Sequence, residues 1–521
     1  MRPRHPAGPR CGLLASCPLP AGWWLSAAIF ALTALIRGWQ WGDPNYHIDE
    51  GFYLLVGDRM RHGALPYVDL WDRKPFGLFL IYWAIAAIGG ASAGAVQLAA
   101  GASAAATAIV LARVARRWVA DRVALLVAVT YLAALEALAG GGGQTPVFYN
   151  LAIAAMAAWS LRARDAPDRA QLTRAAIAAA LCGGIALTIK PTCLPECIVL
   201  GGFIAARLVR HSASKRVAMA RLALIAAIGV LPSLACVAYF AAIGHGADYL
   251  FATIVSATRR LPPSIDERVA LARYLVPRLA PLGLMAAAGV ALLYRTDRGD
   301  ATWLVAWIGA AITGFLMVPN FYDHYALPLL PSLCVAAAPL FARPVTGGIF
   351  AASVAGWALM LAGWPAVERT QRSRAAMATA TDLILANRGG RSLYVFDGPP
   401  SLYTLTRAPL PTRWVFPEHL STSEERDAIG VAPLDELAAI LRRHPAVIVA
   451  ADGDSPRHPS PAAHRLIRIV LAQRYRRVAS VFLPDVAGGR RVGIFALRAA
   501  AAAPVPRARA TPLRSAAAPR S

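Results

Sequence analysis

Residues 76–90 read F-G-L-F-L-I-Y-W-A-I-A-A-I-G-G, an apolar run bounded by Pro75 on one side and closed by Gly89-Gly90. As a helix of about 15 residues it reaches roughly 22 Å, against a hydrocarbon core of about 30 Å. It is therefore read as a juxtamembrane or re-entrant helix that does not cross. That reading sets the sidedness of everything after it. With the N-terminus inside, the arginine-bearing loops Arg113–Arg122, Arg162–Arg174, Arg207–Arg221, Tyr294–Asp300 and the short loop at Arg343 all fall inside. This is the bias that the positive-inside rule describes. A crossing at 76–90 would turn all five outward.

Around this segment the chain is mostly apolar. It has 521 residues, 57% hydrophobic and 16% charged, where a soluble protein carries about 25% charge. A span needs about 20 apolar residues. Runs of that kind lie at about 22–39, 93–113, 122–140, 146–161, 174–189, 193–208, 219–243, 277–294, 302–318, 325–341 and 347–364. The sequence thus predicts an all-α polytopic membrane protein of about 11–13 transmembrane helices. The basic N-terminus runs into the first apolar stretch with no small-residue cleavage site, which predicts an uncleaved first helix. The formal charge of +24 sits in short loops and tails, which suits anionic headgroups. No basic helix or aromatic-basic platform is present to bind nucleic acid. Seven cysteines lie in the N-terminal tail or in apolar segments, so they form no disulfide framework. Cys193 and Cys197 have no histidine beside them, and no metal ligands are predicted.

The same topology collects the unusual polar residues outside. Asp49 and Glu50 open a predicted amphipathic helix with an apolar stripe of Phe52, Leu55, Val56 and Met60, and Gly63 suits its end. Asp49 is expected as its cap or a first-turn residue, where the helix dipole favours the ionised form that a general base needs. Arg73 and Lys74 stand at the start of the 76–90 helix, placed for a phosphate headgroup. Lys190 ends a span on the outer side, against the positive-inside trend. Gln144 follows four glycines, and Asp323, His324 and Tyr325 precede a proline-punctuated helix. His47 flanks the carboxylates. Charged groups at a bilayer edge are costly to desolvate, which makes this set the candidate site. The candidates are Asp49 and Glu50 for catalysis, and Arg73, Lys74 and Lys190 for a donor phosphate. His47, Gln144, Asp323, His324 and Tyr325 are candidate acceptor or donor contacts.

After about residue 370 the pattern changes. Leu393–Phe396, Ala446–Ala450, Val478–Leu483 and Val492–Leu497 are short β-rich runs, alternating with helical stretches at about 371–388 and 433–443. They predict a small α/β domain, periplasmic by parity. The expected organisation is a basic cytoplasmic tail (1–20), a transmembrane domain (21–365) with an outer loop at 40–92, the α/β domain (370–498), and a disordered Ala/Pro/Arg-rich tail (499–521).

The motifs H-I-D-E-G-F-Y (47–53), R-K-P-F-G-L-F-L-I-Y-W (73–83), G-I-A-L-T-I-K (184–190) and D-H-Y-A-L-P-L-L-P (323–331), in that order, resemble the GT-C membrane glycosyltransferases. The resemblance is to bacterial relatives of the protein O-mannosyltransferases and of the lipid A aminoarabinose transferase. It spans about residues 20–365. It implies a polyprenyl-phosphate sugar donor, membrane lipids as surroundings, and an acceptor lipid, glycan or protein at the outer face of the inner membrane. Asp49 would be the catalytic carboxylate, with Lys74 and Lys190 contacting donor phosphate or acceptor. No cofactor is firmly predicted, and a divalent cation is compatible, since metal use varies across the family. The chain departs from the family in having Lys74-Pro75-Phe76 for K-P-P and Gln144 where a carboxylate is common. Two other classes remain open on sequence: a transporter or flippase of lipid-linked sugars, and a non-catalytic envelope assembly protein. The first expects acids within the spans, and Glu136 stands nearly alone there.

Overall fold

Each predicted apolar run folds as a helix in the computed structural model, which describes residues 23–318, 320–453 and 458–498. Both predicted tails, 1–20 and 499–521, lie outside those residues. In chain order the helices are α1 (Trp23–Arg37), α2 (Ile48–Arg61), α3 (Phe76–Gly89), α4 (Ala93–Ala115), α5 (Asp121–Ala137), α6 (Thr145–Asp165), α7 (Arg169–Ile189) and α8 (Leu194–Arg210). Then come α9 (Lys215–Ala242), α10 (Gly246–Leu250), α11 (Ser256–Arg259), α12 (Ile265–Thr296), α13 (Arg298–Leu316), α14 (Leu329–Phe341) and α15 (Thr346–Leu361). Among the described residues, six helices are long and apolar enough to cross a membrane, and α3, α14 and α15 are shorter apolar helices. This is an integral membrane protein.

The α3 helix starts after Pro75 and ends at Gly90, whose φ of 76° only glycine adopts freely. Its Leu80, Trp83 and Ile88 remain exposed, as suits a helix lying against lipid. Small residues bring the helices together: Gly184 of α7 meets the α9 backbone at Gly229, and Gly289 of α12 meets α14 at Ala336. Apolar lipid gives helices no hydrophobic reason to associate, so close backbone packing does it.

One expectation is corrected. The interval 244–276, left outside the spans read at 219–243 and 277–294, is largely helical. The α12 helix begins at Ile265, because Ser264 accepts the Glu267 amide at 3.3 Å and Asp266 and Glu267 stand in its first turn. Pro277, read as the span's start, lies inside the helix.

The C-terminal part adds α16 (Val367–Arg388), β1 (Leu393–Val395), α17 (Ser401–Thr406), α18 (Glu418–Ser421), α19 (Pro433–Arg442), β2 (Val447–Ala451), α20 (Pro461–Arg474), β3 (Tyr475–Leu483) and β4 (Arg490–Leu497). The sheet order is β1-β2-β4-β3. β1 runs parallel to β2 (Leu393 opposite Val447), and β4 is antiparallel to both β2 and β3. This sheet sits on the 43–75 loop. Asn45 donates to the Pro484 carbonyl at 2.8 Å, the Val486 amide to Tyr46 at 3.0 Å, and the Trp71 amide to Arg413 at 2.8 Å. Phe52 meets Phe416 edge-on at 5.2 Å. The loop is thereby held between the helices and the sheet.

Candidate active site

Asp49 lies where three segments distant in sequence converge. His47, not Asp49, is the N-cap of α2: its Nδ1 accepts the Asp49 amide at 3.2 Å. The Asp49 carboxylate then faces two imidazoles, 4.0 Å from His47 Nδ1 and 3.9 Å from His324 Nε2. The two rings meet edge-on at 5.3 Å. His324 is oriented by Asp323, 3.3 Å from its Nδ1, and stacks on Tyr322. Burial alone would raise the Asp49 carboxyl, but His47, Lys74, His324 and Lys190 together hold it below the usual carboxylate range. Asp323 falls to about 2 because His324 outweighs its burial.

The two lysines flank this carboxylate and differ in state. Lys74 stands 3.9 Å from Asp72 and 5.3 Å from the Tyr53 ring. Burial opposes its charge, but Asp72, Tyr53 and Asp49 raise it well above the ordinary lysine value. Lys190 stands 4.9 Å over the Tyr325 ring. Burial, then the neighbouring Lys74 charge, pushes it down to about 7 against the pull of Asp49 and Asp72. Lys190 is also on the wall of a cleft between helices, with Pro146, Tyr149, Thr192, Glu196 and Tyr325. The cleft is mostly apolar, and its one acid, Glu196, accepts the Trp307 indole at 2.9 Å. Lys190 is the one cation on its wall.

Two other candidates, Glu50 and Arg73, are engaged elsewhere. Glu50 is 3% exposed, and both its oxygens are taken, by Gln97 Nε2 at 2.8 Å and by the Gly143 amide at 2.6 Å. Burial pushes its carboxyl up to about 7. It fixes the glycine loop, and Asp49 alone of the pair faces the cluster. Gln144 is buried. Arg73 forms a two-pronged ion pair with Glu425 (one prong at 3.0 Å) and donates to Ser256 at 3.4 Å. It braces the sheet unit against the outer loop beside Lys74.

The sequence reading missed Glu425 and Arg260. Arg260 pairs with Glu424 at 2.6 Å, Glu425 at 3.1 Å and Glu418 at 3.9 Å. The only signal was the Glu424-Glu425 doublet in a chain with 29 acidic residues against 53 basic ones. Among the described residues, no three His, Cys, Asp or Glu side chains are grouped so as to hold a metal ion.

No protein-family model matches the sequence, and no curated protein does. Solved structures do match. ArnT from Cupriavidus metallidurans bound to undecaprenyl phosphate superposes with a TM-score of 0.62 at 16% identity, over 93% of this chain and 100% of that one. Its apo state gives 0.63 at 17%, over 93% and 99%. The oligosaccharyltransferase of Archaeoglobus fulgidus superposes less well, at 0.47 and 12% identity over 83% and 70%. The chain thus has a GT-C-like fold, as the motif order implied.

Proposed function

We propose that this protein is a membrane glycosyltransferase that moves a sugar from a polyprenyl-phosphate donor to an acceptor hydroxyl at the periplasmic face of the inner membrane. One observation carries the reading: an ionised carboxylate, Asp49, held between Lys74, Lys190 and two histidines beside an apolar cleft. The ArnT structure of the same fold, bound to undecaprenyl phosphate, supports that donor class.

In the step proposed, the acceptor oxygen bonds to the anomeric carbon as the bond from that carbon to the phosphate oxygen breaks. The acceptor's proton passes to Asp49. The leaving polyprenyl phosphate gains a second negative charge, which Lys74 and Lys190 stabilise. A phosphate bears that charge without protonation, so no general acid is needed. Electrostatic stabilisation at the phosphate is the larger contribution, and the base adds about 10²- to 10⁴-fold.

The test is transfer from a radiolabelled polyprenyl-phosphate sugar by the purified protein. Asp49→Asn should lose about 10²- to 10⁴-fold in rate with its thermal unfolding unchanged. Full activity in that variant removes the assignment.

A further inference from the structure

A second cleft, open to the surface, lies at the ends of two apolar helices and shares no residue with the candidate active site. Its walls include Trp39 just past α1, Gln40, Tyr46, Glu136 of α5, Trp364 just past α15, and Arg369 of α16. Trp39 and Trp364 are 45% and 38% exposed. Tryptophans in such positions sit at headgroup level, one side apolar and the other wet. Phe30 and Leu35 of α1 and Ile349 and Met360 of α15 are also exposed, so both helices present apolar side chains to lipid.

Its polar lining is charged and incompletely paired. Its charged lining residues are one cation and one carboxylate, Arg369 and Glu136, and Arg37, Arg374 and Asp43 stand near them. Two of the cations are occupied by backbone. Arg37 donates to the carbonyls of Gly140 (2.8 Å) and Gly141 (2.5 Å), and Arg374 to those of Trp41 and Gly42. Arg369 is not so fixed. It makes one long bond, 3.5 Å to Gln40 Oε1, it lies 5.4 Å from the Tyr46 ring, and its Nε has no hydrogen-bond partner among the described residues. Across the cleft, Glu136 is 8% exposed. Its Oε2 accepts from Gln40 at 2.9 Å, and its Oε1 accepts no hydrogen bond, although Arg37 Nη1 is 3.8 Å away. Buried polar atoms of this kind are costly unless something partners them.

We propose that this cleft binds the headgroup of a membrane glycerophospholipid, with the phosphodiester on Arg369 and a terminal hydrogen-bond donor, an ethanolamine ammonium or a glycerol hydroxyl, on Glu136. The guanidinium supplies the paired donors a phosphate oxygen takes. Glu136 Oε1, which accepts no hydrogen bond, supplies the acceptor that the far end of such a headgroup needs. The acyl chains follow the exposed faces of α1 and α15. The bound lipid joins α1, α5 and α16, and with them the base of the 43–47 loop. This inference does not rest on sugar transfer.

The test uses the full-length protein in lipid-free detergent, with thermal unfolding followed against dioctanoyl phosphatidylethanolamine, phosphatidylglycerol, phosphatidylcholine and inorganic phosphate. The ethanolamine and glycerol lipids should raise the midpoint saturably. The choline lipid, which lacks the donor, should need at least tenfold more. Arg369→Gln should weaken the effect at least tenfold while sugar transfer continues, and Arg369→Lys should keep part of it. Equal half-saturation by the choline lipid, or by Arg369→Gln, overturns the proposal. So does half-saturation by inorganic phosphate at the lipid concentration, which would make this a site for a free anion. Should Arg369→Gln not fold, native mass spectrometry of the wild type decides: retention of choline lipid as firmly as ethanolamine lipid refutes the assignment.

Discussion

Raising the pH above 7 should discharge Lys190 and weaken donor binding. Burial and the Lys74 charge hold its ammonium at about 7. Lys74 is pushed the opposite way and stays charged, and Asp49 stays ionised, because its carboxyl is lowered. A phosphodiester donor remains a monoanion over the whole range, so a change in affinity reports the enzyme. One pH unit above its midpoint about one lysine in ten is still protonated, and two units above about one in a hundred. A hydrogen bond to a charged group contributes about 1.5–3 kcal/mol. Donor KM should therefore rise about tenfold per pH unit above 7 and level off after about a 10- to 150-fold increase. Stability should move the other way. The folded lysine titrates near 7 and the unfolded one near its ordinary value of about 10.4. Between those values the unfolded chain binds more protons, so this group's contribution to stability rises with pH. The assay is donor KM between pH 6 and 9, with the thermal midpoint read alongside. Lys190→Arg keeps its charge throughout and should flatten the profile, which separates Lys190 from Glu50, whose carboxyl also lies at about 7. A flat wild-type profile, or an unchanged rise in Lys190→Arg, refutes the reasoning.

Two further perturbations probe the frame of the site. Glu425 is 1% exposed and shared by Arg73 and Arg260, so Glu425→Gln should cost about 3–5 kcal/mol, the range for breaking a buried pair. The measurement is chemical denaturation in detergent, and removing Arg73 in the same background should return part of the loss; no destabilisation would show the pair to be dispensable. Gly142→Ala would place its Cβ 2.6 Å from Tyr46 Cδ1 and into the Glu50 carboxylate. Overpacking of this kind costs about 1–3 kcal/mol, so both the thermal midpoint and the transfer rate should fall, and wild-type values for both would mean the glycine loop yields freely.

The helices and strands were legible because their signals are local: apolar runs about 20 residues long, and short β-rich runs bounded by turns. The convergence on Asp49 was legible for a different reason. Residues 47–50, 73–74, 190 and 323–325 share one side of the membrane once 76–90 is read as not crossing, and parity confines them to a thin layer. Partners drawn from the sheet unit were not legible. Nothing local to Arg73 indicates that Glu425, 352 residues away, folds against it. The start of α12 was missed because Asp266-Glu267 reads as polar loop, whereas after Ser264 the same acids form a favourable first turn.

The hardest case was the adjacent pair Asp49 and Glu50, both of which are catalytic candidates on sequence. Helix geometry makes them different. Consecutive residues on an α-helix diverge by about 100°, so neighbouring carboxylates leave the helix in different directions. On α2, Asp49 faces the histidines and lysines, while Glu50 faces Gln97 and the Gly143 amide. Tyr46, a turn earlier, faces back to Gly141 and the second cleft. The 43–50 segment is thus a partition with a different chemistry on each side. An ionised carboxylate meets the proposed donor site, and hydrogen bonds to the glycine loop hold the other side. Moving either face moves the other, which is why Gly142, far from Asp49 in sequence, belongs in the same experiment.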